Sequence, residues 1–313
     1  VWLPNSTRTS VSGLSSDFRS IRGTTALVGV LGDPVHHSLS PVMQNAALQA
    51  MGLDWVFLAL PAPAADLAAV VRGLEAMGCR GLNVTIPHKQ AVAGLCRELS
   101  PLAERLGAVN ALVPLPGGGW HGTNTDAEGF CAPLRREGAS WSGKRAVVLG
   151  CGGSARAVVA GLADLGFASI QVAGRRPEAL QAFLADCQAW APQLHNLHWA
   201  SGSPALASAL AQADLVVNTT PVGMAAAGNP AAAEACPLSE AELSALPASC
   251  CVYDIIYTPR PTRLLQHAAA RGCRSLDGLE MLVEQGAAAL RLWSGRSDVP
   301  VAVMRQALLR ELP

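Results

Sequence analysis

The string Gly150-Cys151-Gly152-Gly153-Ser154-Ala155 follows a β-rich run at 145–149 and opens an alanine-rich helical run. This is G-x-G-x-x-A in the strand–turn–helix setting that binds a dinucleotide. Glycines there let the backbone approach a pyrophosphate at the positive end of the helix. A tight turn that binds nothing is the bland alternative. The end of the next strand distinguishes between cofactors, because an acid there would accept from the ribose 2′-hydroxyl of NAD. This chain has Gly174-Arg175-Arg176 instead. Two guanidinium groups without an acid suit the 2′-phosphate of NADP, since arginine offers planar, charge-assisted donors. Two solvated arginines at a helix start are the competing reading.

Nearer the N-terminus, Ser38-Leu39-Ser40-Pro41 places two hydroxyls on one side of an extended segment after the first strand, where open α/β sheets hold ligands. They suit a substrate carboxylate; helix capping by Ser40 beside a solvated Ser38 is the alternative. In 83–89 (NVTIPHK), strand alternation aims Asn83 and Thr85 at one face. Lys89 follows at a helix start, where its charge opposes the dipole and hints at a function other than solvation. Asn110 opens a further strand. Asp126, in Asn124-Thr125-Asp126, is equally readable as a helix N-cap. Asn218-Thr219-Thr220-Pro221 ends a later strand and suits either a cofactor crevice or a capped turn. His36, His37 and His88 lack a metal-ligand pattern with Cys or Asp, so no metal is expected.

Elements that could carry these residues alternate along the chain, as in α/β units around parallel sheets. A first series of strands is expected at 26–31, 55–60, 81–85 and 111–113, with helices beginning near Pro41, Ala64 and Lys89. Ser40 is the expected N-cap of the helix at Pro41. The turn-rich stretch 114–119 leads to a linking helix at 126–137. A second series is expected at 146–149, 169–173, 197–200, 215–218 and 252–256, with a loop at 225–237. The last helices, from Gly278 onward, follow the second sheet and are free to pack back on the first.

The chain has 313 residues, more than a single hydrophobic core accommodates, so two domains are expected. Its 23 basic and 23 acidic residues give zero formal charge, which argues against nucleic acid. Half of the residues are apolar and 15% charged, too apolar for disorder. No apolar run approaches the roughly 20 residues of a membrane span, and the polar first 24 residues read as a mobile extension rather than a secretory signal. Nine scattered cysteines without a CxxC pair read as reduced thiols in a cytoplasmic protein.

Taken together, the segments SLSP at 38–41, NVTIPHK at 83–89, GAVN at 107–110, NTD at 124–126, GCGGSARA at 150–157, NTTPVGM at 218–224, YDIIYTP at 253–259 and DGLEMLVEQ at 277–285 resemble the shikimate dehydrogenase family, in family order. The resemblance implies NADPH-dependent, reversible reduction of 3-dehydroshikimate to shikimate, a step of aromatic amino-acid and chorismate biosynthesis. It implies two α/β domains: a discontinuous substrate-binding domain (25–125 plus 279–313) and a Rossmann-type NADP-binding domain (126–278), with the active site between them. Carried over by position, Lys89 and Asp126 form the catalytic pair. Ser38 and Ser40 hold the carboxylate, and Asn83, Thr85, Asn110 and Gln285 contact the ring or its hydroxyls. Gly150, Gly152, Gly153 and Ser154 form the phosphate loop, with Arg175 and Arg176 at the 2′-phosphate. Thr219 falls in the crevice segment, and Tyr257 and Gly278 near substrate and nicotinamide. A protonated lysine beside an aspartate suits the chemistry, because hydride delivery to a ketone leaves an alkoxide that needs a proton.

Two departures stand out. Gly174-Arg175-Arg176 replaces the frequent Asn-Arg-Thr, exchanging a side-chain hydrogen bond for a second charge, and Cys151 replaces a frequent alanine. Competing readings are a quinate or dual quinate/shikimate dehydrogenase, and a non-catalytic sensor, which would have no need of an intact Lys89 and Asp126. The expected partner is the small-molecule substrate, with neither nucleic acid nor membrane; a homodimer is left open.

Overall fold

The computed structural model describes residues 21–136, 138, 140–200, 204–225 and 229–312. The extension expected over 1–24 therefore lies outside the described residues except for 21–24, as do residues 226–228 of the expected loop. In chain order the first half contains β1 (Ala26–Gly32), α1 (Ser40–Ala50), β2 (Trp55–Pro61), α2 (Leu67–Ala76), β3 (Leu82–Val84), β4 (Glu98–Leu99), α3 (Pro101–Leu106), β5 (Ala111–Pro114), β6 (Trp120–Thr123) and α4 (Asp126–Arg136). The second half contains β7 (Arg145–Leu149), α5 (Gly153–Asp164), β8 (Ser169–Gly174), α6 (Pro177–Cys187), β9 (Leu194–His198), α7 (Pro204–Ala211), β10 (Leu215–Asn218), α8 (Glu240–Ser244), β11 (Cys251–Asp254), α9 (Arg263–Ala270), β12 (Arg274–Leu276), α10 (Leu279–Ser294) and α11 (Val301–Glu311).

The first sheet has the order β2-β1-β3-β5-β6-β4. It is mixed rather than parallel throughout: β2, β1 and β3 run parallel, whereas β5 pairs antiparallel with both β3 and β6. Between β5 and β6 the reason is connection length. Residues 115–119, with Gly118 and Gly119 at positive φ, turn the chain back within one hairpin, and so short a link cannot cross over to a parallel neighbour. Strand β6 was not expected, because Trp-His-Gly-Thr is four residues long and interrupted by glycine. The helix expected from Lys89 is only a 3-10 turn, Ala91–Leu95, since Pro87 and Gly94 bracket a segment too short to propagate an α-helix.

The second sheet has the order β12-β11-β10-β7-β8-β9, and every pairing is parallel. This is the doubly wound order of dinucleotide-binding folds, with its switch point between β7 and β10. Strand β9 lies at Leu194–His198 rather than 197–200; its polar His195, Asn196 and His198 masked the pattern. The short edge strand β12, which begins with Arg274, was also missed. The loop expected around residue 230 contains a 3-10 turn, Pro230–Glu234.

Helix α10 leaves the second sheet and buries Val283, Ala287, Leu290 and Trp293 in the core that Val28, Met43 and Phe57 build on the first. It packs against α4 at a glycine: a Cβ at Gly129 would lie 2.7 Å from the Met281 carbonyl oxygen and 2.8 Å from Cβ of Gln285. Such an approach admits no side chain, and it fixes the height of Gln285 on α10.

Candidate active site

The C-terminal ends of β1 and β3, the start of β5 and helices α4 and α10 enclose a cavity of about 180 Å³. Nine residues singled out from the sequence line it: Ser38, Ser40, Asn83, Thr85, Lys89, Asn110, Asp126, Tyr257 and Gln285. Ser154 and Gly278, assigned to the cofactor, line it too. The remaining wall includes Val30, Val84, Ile255, Met281 and Leu282. Sequence reasoning missed these residues, because inward-facing strand and helix residues look the same whether they face a core or a cavity.

A salt bridge of 2.6 Å joins Lys89 Nζ to Asp126 Oδ2, and the two side chains are 19% and 10% exposed. Lys89 stands just beyond β3, held by the Val109 N–H, which donates to its carbonyl at 2.8 Å. Asp126 is the first residue of α4 rather than its cap, and its own N–H donates to Asn124 Oδ1 at 3.0 Å. The Asp126 carboxylate is therefore free for side-chain partners. Its Oδ1 accepts from Asn110 Nδ2 at 2.7 Å, and Asn110 is itself locked because its Oδ1 accepts from the Thr125 N–H at 2.7 Å. One carboxylate oxygen thus faces the amine, and the other faces a fixed amide.

Ser40 is not the N-cap of α1. Leu39 occupies that position without a side-chain bond, and Ser38 Oγ accepts from the Ser40 N–H at 3.2 Å. Asn83 donates to the Asn110 carbonyl at 3.2 Å, while its Oδ1 is buried without a partner among the described residues. A buried acceptor at a cavity wall needs a donor, and a ligand hydroxyl would supply one. Gln285 turns its amide to its own helix, donating to Leu282 O at 2.8 Å. Burial pushes the Tyr257 hydroxyl above its ordinary pKa, so it stays protonated as a donor.

The other candidates gather at the switch point of the second sheet. Gly150 has φ of +102°, and a Cβ there would lie 2.8 Å from Thr219 Oγ1, so glycine is required on both counts. Thr219 spends its proton on Leu149 O at 2.7 Å and can offer a ligand only an acceptor. Gly152 and Gly153 lead into α5 and are open, with nothing within 4 Å of an added Cβ. Arg175 and Arg176 are exposed just past β8, and among the described residues neither has an ion-pair partner. A surface shaped to admit backbone-close phosphates, flanked by two uncommitted guanidinium groups, fits a phosphorylated dinucleotide.

Comparison with known proteins agrees with this geometry. Residues 30–112 match the family model described as the shikimate dehydrogenase substrate binding domain, and residues 278–309 match that of the shikimate 5'-dehydrogenase C-terminal domain. A shikimate dehydrogenase (NADP(+)) of Synechocystis sp. is 50% identical over 294 residues, which is 94% of this chain and 98% of that protein. Shikimate 5-dehydrogenase from Listeria monocytogenes, solved with shikimate and NAD, has a TM-score of 0.83 at 31% identity, covering 93% of this chain and 99% of that one. Quinate dehydrogenase from Corynebacterium glutamicum, solved with NAD, has a TM-score of 0.81 at 32% identity, covering 91% and 99%. Half-identity across nearly the whole length of both proteins means that this chain belongs to the shikimate dehydrogenase family.

Proposed function

We propose that the chain interconverts 3-dehydroshikimate and shikimate with NADP(H), using Lys89 and Asp126 as the proton-transferring pair. The observation that carries this is their 2.6 Å contact on the wall of a cavity also lined by Ser38, Ser40, Asn83 and Thr85. NADPH supplies the hydride that reduces the ketone. The resulting alkoxide needs a proton, which the Lys89 ammonium delivers; in the reverse direction the amine takes it back. Asp126 stabilises the ammonium and, pinned by Asn110, keeps it aimed at one point. Ser38 and Ser40 take the carboxylate, and Asn83, Thr85, Asn110, Tyr257 and Gln285 take the ring hydroxyls. Gly150, Gly152, Gly153 and Ser154 hold the cofactor diphosphate, Thr219 and Gly278 flank it, and Arg175 and Arg176 hold the 2′-phosphate. In this reading residues 25–125 with 279–313 carry the substrate and 126–278 the cofactor. Aromatic-precursor synthesis in the cytoplasm is its setting, and a homodimer is compatible with it. Among the described residues no helix is long and apolar enough to cross a membrane.

The test is shikimate oxidation followed by NADPH absorbance, beside shikimate with NAD and quinate with each cofactor. Turnover confined to shikimate with NADP is expected. Comparable quinate rates would move the chain to the dual-specificity branch, and binding without turnover would make it a sensor. Lys89→Ala should cut turnover by roughly 10²-fold or more while shikimate still binds.

A further inference from the structure

The residue before Lys89 is a buried histidine that the proposed chemistry does not use. His88 is 1% exposed, and its Nε2 lies 2.6 Å from the carbonyl oxygen of Ala62. A carbonyl can only accept, so the imidazole donates. Ala62 directly follows edge strand β2, and its own N–H donates to Gly32 O at 3.1 Å, which ties it to the end of β1. The acceptor that His88 grips therefore lies one residue past β2, tied to the end of β1 by the N–H of the same residue.

The backbone around His88 is held on the other side. Its N–H donates to Thr85 O at 2.9 Å, its carbonyl accepts from the Val92 N–H at 2.9 Å, and the next carbonyl, that of Lys89, accepts from Val109 at 2.8 Å. These bonds reach the residue after β3, the 3-10 turn and the segment before β5, whereas among the described residues it is the imidazole that hydrogen-bonds this turn to the end of β2. Packing by itself does not call for histidine there. Leu31, Ala62, Val84 and Val92 from the neighbouring segments belong to one apolar cluster, for which leucine would be the ordinary choice. A polar ring in such a place is explained by the bond it makes.

We propose that His88 is a positioning residue for Lys89: its hydrogen bond to Ala62 anchors the turn that carries the lysine and so holds the amine at Asp126. This rests on the reading of Lys89 and Asp126 as the proton-transferring pair. The lysine side chain is long and flexible, so its amine inherits any freedom of the backbone beneath it. Misplacement of a reacting group by about 1 Å can cost as much as 10²-fold in rate.

Two variants test this. His88→Leu keeps bulk and loses the donor, and His88→Gln places an amide N–H near the original Nε2. His88→Leu should lower kcat for shikimate oxidation by roughly 10- to 100-fold with KM values within about threefold, and His88→Gln should recover most of that loss. A second readout does not depend on turnover: acylation of Lys89 by an amine-selective reagent, followed by mass spectrometry, should speed up several-fold in His88→Leu and return towards wild type in His88→Gln. Unchanged kcat and acylation in a folded His88→Leu protein would overturn the proposal. So would a loss that merely tracks the unfolded fraction in thermal melts, or one that the glutamine does not reverse. If wild-type protein fails to oxidise shikimate while Lys89 acylation still responds as expected, the functional reading falls and the positioning role stands.

Discussion

Replacing Asp126 with asparagine probes the pair with the least change of shape. Oδ2 of Asp126 accepts from Lys89 at 2.6 Å and Oδ1 accepts from Asn110 at 2.7 Å, so both carboxylate oxygens serve as acceptors. An amide has only one oxygen. If it faces Asn110, its NH2 group opposes the Lys89 ammonium; if it faces Lys89, its NH2 group opposes the Asn110 Nδ2. Asn110 cannot relieve the second conflict by flipping, because its Oδ1 accepts from the Thr125 N–H at 2.7 Å. Either orientation sets donor against donor and removes the carboxylate charge that stabilises the ammonium. A hydrogen bond to a charged group is worth about 1.5–3 kcal/mol, which corresponds to roughly 10- to 100-fold in rate. Asp126→Asn should therefore lower kcat by that factor, with KM for shikimate changing less. The assay is steady-state NADP reduction, with a thermal melt to confirm folding. A folded variant with kcat within about twofold of wild type would refute the argument that Asp126 holds the proton donor.

The arginine pair and a buried acid give two further tests. Converting Arg175 and Arg176 together to alanine should weaken NADP by at least about tenfold, each charge-assisted contact being worth about 1.5–3 kcal/mol, and leave NAD nearly unaffected; equal loss of both cofactors, measured by titration calorimetry, would remove the 2′-phosphate from their neighbourhood. Asp254 is raised from 3.8 to about 6, chiefly by burial, against hydrogen bonds from Thr262, Ile256 and Asn218 that lower it. The native state then holds a proton that the unfolded chain has released between about pH 4 and 6, so stability falls as pH rises through that window, by about 3 kcal/mol in all. Urea unfolding across the window should show this slope in wild type and its absence in Asp254→Asn, whereas parallel curves would place the Asp254 pKa near its ordinary value.

Signals that live within a few residues were legible before the fold was known. Gly150, Gly152 and Gly153 stand between a β-rich and a helical run, and their demand for backbone room is local; so is the absence of an acid beside Arg175 and Arg176. The all-parallel second sheet was visible in the same way, since its strands are separated by helix-length segments. The first sheet was less so. Strands β4 and β6, of two and four residues, carry too little pattern to count, and the antiparallel pairing of β5 with β6 follows from a five-residue link. Ser40 read locally as a cap, yet the helix begins at it and Leu39 takes the cap position.

The residue types of the site, and the order in which they come, are properties of this sequence alone: two serines before a proline, a lysine after a strand, an aspartate at a helix start, and arginines where an acid would select NAD. Their meeting is not. Lys89 and Asp126 are 37 positions apart, and they touch because β3 pairs with β5, so that Asn110 lies within reach of the start of α4. Gln285 reaches the cavity from the far end of the chain because α10 closes on α4 at Gly129. His88 became informative only once its burial and its bond to Ala62 were known. Turns, glycine loops and periodicity are set by neighbours along the backbone and can be read from it; contacts between distant residues are set by sheet register and by which faces are buried together, and no short stretch of sequence contains either.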